Sequence, residues 1–135
     1  MGKVIAIANQ KGGVGKTTTC VNLAASLAAT RRKVLVIDLD PQGNATMGSG
    51  VDKYEVERTA YELLIEDAPI AEVIIPETSG GYHLIAANAD VTAAEIRLME
   101  FFAREIRLRN AIASVRDKYD YIFIDCPPSL NMLTV

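Results

Sequence analysis

The sequence has little of what metal-binding, disulfide-rich and nucleic-acid-coating proteins rely on. Its 135 residues include one histidine, two cysteines and no tryptophan, and the net charge is only -3. Cys20 and Cys126 lie far apart and lack the close spacing of metal ligands. The small net charge gives no bulk electrostatic reason to expect DNA binding. A reducing cytoplasm therefore suits this composition best.

Long apolar stretches are also missing. The first apolar run, at residues 4–8, is shorter than a signal-peptide core, and no segment reaches the roughly 20 apolar residues that span a bilayer. Half of the residues are nevertheless hydrophobic and 23% are charged, which is a globular composition. We expect a soluble chain with one modest core, either one domain or part of one.

Three short runs rich in valine and isoleucine predict strands that are buried on both faces. They lie at residues 4–8, 34–37 and 121–124. The alanine-rich segment 17–30 between the first two predicts a helix, which completes a βαβ unit. This alternation predicts an α/β fold, a parallel sheet with helices on both faces and right-handed crossovers.

Two capping boxes mark further helices in the middle of the chain. Thr59 with Glu62 predicts a short helix, and Thr92 with Glu95 predicts a longer one that runs to about Arg116. The longer helix carries an apolar stripe, and its members are Leu98, Phe101, Leu108, Ile112 and Val115.

The remaining segments are predicted from glycine content and from the end of the chain. Residues 82–86 follow two glycines and predict a strand, whereas residues 40–58 read as loop. His83, on that strand, has no acid or nucleophile motif around it and is expected to be structural. The sequence stops seven residues after Pro128, before another strand can form, so we expect a fragment.

The segment KGGVGKT, residues 11–17, predicts a phosphate-binding loop. It lies between the first predicted strand and the following helix, where glycines let successive N–H groups turn toward one anion. Lys16 can reach the β- and γ-phosphates of a nucleotide, and the Thr17 hydroxyl can bind the magnesium that bridges them. The predicted nucleotide-binding residues are Lys11, Gly12, Gly13, Val14, Gly15, Lys16, Thr17 and Thr18.

Carboxylates follow two of the predicted strands. Asp38 and Asp40 come at the end of the strand 34–37, and Asp125 ends the strand 121–124 in the form of a Walker B motif. Ligands bind at this edge of parallel sheets, and such a carboxylate holds magnesium, usually through a water. Taken alone, each aspartate is also compatible with turn or capping chemistry.

The phosphate loop departs from the usual GxxxxGK[ST] pattern, because Gln10 replaces the first glycine and Lys11 follows it. This loop resembles the deviant Walker A motif of the ParA/MinD ATPase family, which also includes the nitrogenase iron protein. The segments DPQGN at residues 40–44 and DCPPS at 125–129 resemble ParA/Soj partition ATPases more than MinD. The resemblance predicts that residues 1–135 are the N-terminal part of a single P-loop ATPase domain.

The resemblance implies a role for each site residue. In this family the extra lysine, here Lys11, reaches into the partner subunit's nucleotide site and stabilises charge there. Asp40 matches the aspartate that orients the attacking water. The implied catalytic residues are Lys11, Lys16 and Asp40, and the implied magnesium residues are Thr17, Asp125 and Asp38.

The resemblance also implies a biological function: an ATP-hydrolysing switch that dimerises with ATP and Mg²⁺ and acts in chromosome or plasmid partition. Its expected partners are a ParB-type centromere-binding protein and nonspecific DNA, bound through a part of the fold outside these residues. The expected location is the cytoplasm, on the nucleoid and not on a membrane.

Two other functions remain open from the sequence, and a third is disfavoured by its cysteines. The chain could be a truncated nucleotide-binding module without turnover, or a MinD-like ATPase, which a C-terminal amphipathic helix would reveal. An iron–sulfur reductase would need cysteines placed to bridge two subunits, and the spacing of Cys20 and Cys126 does not match that arrangement.

Overall fold

A computed structural model describes residues 3–7, 14–39, 44–52, 55–56, 58–64, 68–76, 78–87 and 101–125. Within these residues, four strands form one sheet in the order β1-β4-β2-β3, and every neighbouring pair is parallel. All four strands therefore end at the same side of the sheet, which we call the carboxyl edge; the opposite side is the amino edge. The strands are β1 (Lys3–Ile7), β2 (Val34–Asp38), β3 (His83–Ile85) and β4 (Tyr121–Asp125).

Helices cover both faces of this sheet. α1 packs on one face, and the helices α3, α4 and α5 pack on the other. The predicted α/β architecture, a parallel sheet between two helical layers, is confirmed. The helices are α1 (Val14–Ala29), α2 (Asn44–Gly48), α3 (Ala60–Leu64), α4 (Ile70–Val73) and α5 (Phe101–Val115), and a 3-10 turn (Arg116–Lys118) follows α5.

The central strand β2 shows why the apolar runs are unbroken. Val34 and Val36 pack against the α1 layer, whereas Leu35 and Ile37 pack against the α5 layer. Successive side chains of a strand point to opposite faces, so a strand covered on both faces needs apolar residues at every position. Burying each such side chain contributes about 1.5–3 kcal/mol.

The predicted strands are confirmed with small shifts at their ends, but β1 is not buried on both faces as predicted, because Val4 and Ile5 are 36% and 39% exposed. β2 and β4 each extend one residue further than predicted, to Asp38 and Asp125. β1 begins at Lys3, one residue earlier than predicted, and the predicted last residue, Ala8, lies outside the described residues. β3 is shorter than the predicted strand 82–86.

The helix after β1 begins earlier than the sequence indicated. α1 starts at Val14, three residues before the predicted start at Thr17, and ends at Ala29. The last residues of the predicted phosphate-binding loop 11–17 therefore form the first turn of α1.

Residues 40–58 were predicted to be a loop, and this prediction is wrong for residues 44–48, which form α2. A five-residue helix is too short to show an apolar period, and short isolated helices are not stable by themselves. Hydrogen bonds from α2 and the residue after it to distant parts of the chain hold this helix, and they are described below.

Of the two predicted capping boxes, one lies in the described residues and one does not. α3 begins directly after Thr59, whose hydroxyl donates to the Glu62 carboxylate at 3.2 Å, so the first predicted helix start is confirmed. Thr92 and Glu95 lie outside the described residues.

The helix predicted to run to about Arg116 ends at Val115, as α5. Leu108, Ile112 and Val115 of its stripe are buried, as predicted. Leu98 and the side chain of Phe101 lie outside the described residues. No helix in the described part of the chain is both long and apolar enough to cross a bilayer.

Candidate functional site

Two buried aspartates lie side by side at the carboxyl edge. Asp38 ends β2 and Asp125 ends β4, and the two are register partners in the parallel pairing of these strands. Both have an exposed fraction of 0%. Asp125 is also the register partner of Ile7, the last residue of β1. The two carboxylates therefore lie next to the point at which β1 ends and the chain continues toward α1.

The alternation of side chains places both aspartates on one face of the sheet. Asp38 has the same parity along β2 as Val36, and Asp125 has the same parity along β4 as Phe123. Val36 and Phe123 both pack against the α1 layer. Because residues two apart point to the same face, both carboxylates lie on the α1 face, the side on which the helix after the predicted phosphate loop packs.

The carboxylate of Asp38 is held by α2. The Thr46 backbone N–H donates to Asp38 Oδ2 at 2.9 Å, and the Thr46 hydroxyl donates to the same oxygen at 2.7 Å. The Thr46 hydroxyl oxygen in turn accepts the Ala87 N–H at 3.0 Å. All three residues have an exposed fraction of 0%. An aspartate that accepts an N–H from the first turn of a helix caps that helix, and the charged acceptor strengthens the bond.

The residue after α2 is anchored as well. The Ser49 hydroxyl donates to the Ala45 carbonyl at 2.7 Å, so the Tyr82 hydroxyl, which contacts the same Ser49 oxygen, donates to it. Ser79 N–H donates to the Ser49 carbonyl at 3.0 Å. Burial raises the pKa of Tyr82, and the hydrogen bond to Ser49 offsets only part of this rise. Both ends of this short helix are thus fixed by contacts with other segments.

Only part of the predicted site falls in the described residues. Asp38 and Asp125, both predicted as magnesium residues, lie together as a pair. Residues 14–18 form the first turns of α1, and their side chains lie outside the described residues. The other predicted residues outside the described part of the chain are Lys11, Gly12, Gly13 and Asp40.

The chemistry of the carboxylate pair fits magnesium shared with a phosphate ligand. Carboxylate oxygens are hard ligands, and Mg²⁺ is usually held by one or two carboxylates together with phosphate oxygens and water. Among the described residues, no group of three or more histidine, cysteine, aspartate or glutamate side chains could hold a metal by itself. Two carboxylates by themselves would leave most coordination positions of a Mg²⁺ ion to other ligands.

Sequence reasoning missed the Thr46 link and the Ser49–Tyr82 contact. Thr46 is eight residues from Asp38 and 41 residues from Ala87, so no short motif relates these residues. The Ser49–Tyr82 contact spans 33 residues. A hydroxyl residue shortly after a strand that ends in aspartate is the only sequence signal, and it is too common to be specific.

A cavity of about 550 Å³ lies at the amino edge, away from the carboxylate pair. His83 lines it, and His83 Nδ1 lies 2.7 Å from the Tyr119 hydroxyl, with the two rings at an interplanar angle of 82°. This packing agrees with the structural role predicted for His83. Neither aspartate lines this cavity, so the cavity is separate from the candidate site.

Comparison with known proteins agrees with the geometry. The AAA domain family AAA_31 matches residues 2–135. The sporulation initiation inhibitor protein Soj of Bacillus subtilis is 51% identical over all of this chain, which covers 53% of Soj. The chromosome partitioning protein ParA of Myxococcus xanthus is 49% identical, and this chain covers 48% of it.

Solved structures show the same fold. A Mycobacterium smegmatis protein described as cobyrinic acid a,c-diamide synthase, solved with an ATP analogue and magnesium, superposes with a TM-score of 0.90 and 40% identity. The match covers 99% of this chain and 55% of that one, so the chain spans about half the length of the relatives it matches. The parallel sheet, its buried carboxylate pair and these matches together show that the chain belongs to the ParA/Soj family of P-loop ATPases.

Proposed function

We propose that this chain is the nucleotide-binding part of a magnesium-dependent ATPase that acts as an ATP-driven dimerisation switch in chromosome or plasmid partition. The observation that carries the proposal is the buried pair of Asp38 and Asp125, in register at the carboxyl edge and on the α1 face. In the sequence, KGGVGKT lies between β1, whose last residue is the register partner of Asp125, and the first turns of α1. The names of Soj and ParA, at 51% and 49% identity, support the partition role.

In this proposal, residues 11–18 bind the phosphates of ATP. Backbone N–H groups of the glycine-rich loop and the N-terminus of α1 surround the β-phosphate, and Lys16 neutralises the β- and γ-phosphates. Thr17, Asp38 and Asp125 face the magnesium, either directly or through water. When bound, magnesium draws charge from the phosphate oxygens and so makes the γ-phosphorus easier to attack.

Two further residues act on the reaction itself. Asp40 orients the attacking water in line with the bond that breaks. Lys11 crosses to the nucleotide of a second subunit and stabilises charge that develops on the phosphates. A lysine supplied in this way makes hydrolysis depend on dimerisation, which is what a switch requires.

The direct test measures ATP binding and single-turnover hydrolysis, with and without magnesium. We expect Asp40→Ala to keep ATP affinity within about threefold and to lower turnover by roughly 100-fold or more, because it removes an interaction needed only in the transition state. Asp117→Ala, which changes an exposed aspartate at the amino edge, is the matched control and should change neither quantity. Loss of ATP binding in Asp40→Ala would contradict the role of Asp40.

Lys11 has a separate test. Lys11→Ala should still bind ATP as a monomer, but ATP should no longer shift its mass to that of a dimer in light scattering after gel filtration. Lys16→Ala should instead lose ATP affinity itself, by roughly 100-fold, because it removes a charge that contacts the phosphates before and during reaction. Equal loss of ATP affinity in both variants would remove the proposed division of roles.

A second candidate is a nucleotide-binding module without turnover. This chain covers 53% of Soj and 48% of ParA, so ATP turnover by these residues is a question separate from ATP binding. In that case the chain of 135 residues would bind ATP with magnesium and release it unchanged. If radiolabelled ATP is recovered intact after it has bound and dissociated many times, that result would support this candidate over the switch.

The name of the Mycobacterium smegmatis structure points to a different reaction, an ATP-dependent synthase. Its identity to this chain is 40%, below the 51% and 49% of the partition proteins. The two functions can be distinguished by the molecules that stimulate ATP turnover. We expect DNA with a ParB-type protein to stimulate it, and cobyrinic acid with an amide donor to have no effect.

The wider properties are proposals for the whole protein. We propose that residues 1–135 are the N-terminal part of a single ATPase domain, that the ATP-bound dimer contacts a ParB-type protein and nonspecific DNA, and that the protein is cytoplasmic and nucleoid-associated. DNA binding is placed outside the residues described above. Gel-shift measurements on the gene product, with ATP and with ADP, test it.

A further inference from the structure

We propose that Thr46 is a positioning residue of the carboxyl edge, which orients the Asp38 carboxylate and links it to the segment after β3. The link itself follows from the geometry alone. Its consequence for magnesium-dependent ATP binding rests on the function proposed above.

The hydrogen-bond directions in this link are unambiguous. A hydroxyl has one hydrogen to donate, and an N–H can only donate. Because the Ala87 N–H donates to Thr46 Oγ1 at 3.0 Å, that oxygen is the acceptor there, and its own hydrogen goes to Asp38 Oδ2 at 2.7 Å. The result is one directed chain, from Ala87 through the Thr46 hydroxyl to the Asp38 carboxylate.

Thr46 contacts Asp38 twice, and the two contacts fix an orientation. The backbone N–H and the hydroxyl of Thr46 both donate to Oδ2, at 2.9 and 2.7 Å. Two donors from one residue that converge on one oxygen restrict the rotation of the carboxylate more than either would alone. Since the residue is fully buried, water cannot replace a lost donor without entering the core.

Ala87 brings a third segment into the link. It lies two residues after the end of β3, and its N–H reaches across 41 residues of sequence to Thr46. A displacement of the chain after β3 would pull on the Thr46 hydroxyl and thus on the Asp38 carboxylate. The structure joins three carboxyl-edge segments, the ends of β2 and β3 and the helix α2, through one side chain.

The test compares Thr46→Val, Thr46→Ser and Thr59→Val. Valine keeps the branched shape of threonine and replaces the hydroxyl by a methyl group, whereas serine keeps the hydroxyl. Thr59 is the matched control, because it is also fully buried and its hydroxyl also donates to a carboxylate, that of Glu62, at the start of α3.

The first readout is hydrogen exchange of the Ala87 amide, which needs no ligand. We expect Thr46→Val to speed this exchange by roughly tenfold relative to Thr59→Val, and Thr46→Ser to stay within about threefold of the unmodified chain. Unchanged Ala87 exchange in Thr46→Val would overturn the link. If valine destabilises the whole fold, the amides of β2 and β4 should exchange faster by the same factor as the Ala87 amide. Such an equal acceleration would overturn the proposal. Thr46→Ser then serves as the folded comparison.

The second readout is the affinity for a fluorescent ATP analogue, measured over a magnesium titration. We expect Thr46→Val to weaken binding with magnesium by roughly tenfold, to leave binding without magnesium within about threefold, and serine to restore both. Equal weakening with and without magnesium would overturn the positioning role. If the unmodified chain binds no ATP, the proposed function fails, and Ala87 exchange alone then supports or overturns the link.

Discussion

The two edges of the sheet contain the same kind of contact in opposite surroundings. At the carboxyl edge, Asp38 Oδ2 accepts the Thr46 N–H at 2.9 Å, and both residues have an exposed fraction of 0%. At the amino edge, Asp120 Oδ2 accepts the Lys33 N–H at 2.8 Å, and both residues are exposed. The two hydrogen bonds are nearly equal in length, so we expect any difference in their contribution to stability to come from burial.

Burial changes what happens when such a contact is lost. Water replaces a lost partner at the amino edge, whereas at the carboxyl edge the remaining N–H and hydroxyl would stay buried without an acceptor. A buried charged group that remains in a fold despite its desolvation cost is a candidate for function. The same reasoning explains why the cavity at the amino edge, with its exposed Arg32 and Lys33, does not mark the site.

The largest expected difference between the edges is in stability. Asp38→Ala should lower the free energy of unfolding by about 2–4 kcal/mol, because it leaves two buried donors of Thr46 unsatisfied. Asp120→Ala should cost less than about 1 kcal/mol, because water can accept the exposed Lys33 N–H. Urea denaturation of both variants measures the difference, and equal costs would show that burial is not what separates the edges.

A smaller difference is expected between two tyrosines, one that contacts the buried Ser49 and one that contacts His83 at the amino edge. Tyr82→Phe removes the donor to Ser49 from a fully buried pair and should cost about 1–2 kcal/mol. Tyr119→Phe removes a contact with His83, which is partly exposed, and should cost about 0.5–1 kcal/mol. Thermal unfolding of the two variants at one pH ranks them. The reverse order would mean that Ser49 finds another donor.

High pH probes both tyrosines together. Burial raises the pKa of Tyr82 and Tyr119 above 10.0 in the folded chain. The folded state then keeps the phenol proton when the unfolded chain has lost it, so stability is full below pH 10 and falls as pH rises through the raised pKa. Unfolding free energies measured at rising pH should show this decline, and replacing both tyrosines by phenylalanine should flatten it. A decline that persists in the double variant would have to come from other groups.

The smallest effect should come from an exposed ion pair away from both edges. Arg58 Nη1 lies 2.7 Å from Glu72 Oε2, with side chains 51% and 54% exposed. Glu72→Gln should change stability by no more than about 0.5 kcal/mol, and less in high salt, because water screens the pair. Urea denaturation at two salt concentrations measures this small change in stability. A cost near that of Asp38→Ala would contradict the expectation that burial decides how much a lost contact destabilises the fold.

Sequence reasoning predicted the strands of the sheet and the two aspartates of the described site, but not the contacts that hold Asp38 and α2. The strands β2 and β4 were found because they are buried and contain only apolar residues up to a terminal aspartate. Asp38 and Asp125 were predicted from their position after these strands. α2 was missed because distant partners hold it and the residue after it: Thr46 bonds to Asp38 and Ala87, and Ser49 contacts Tyr82.

The sequence by itself determined the kind of chemistry and the class of fold, because a phosphate loop and alternating apolar segments are local patterns. It placed Asp38 and Asp125 at strand ends, but 87 residues separate them along the chain. Only the strand order β1-β4-β2-β3 made them neighbours, since β4 inserts between β1 and β2. The tertiary structure also decided what holds Asp38 in place, because hydrogen bonds between distant segments form only after the chain has packed.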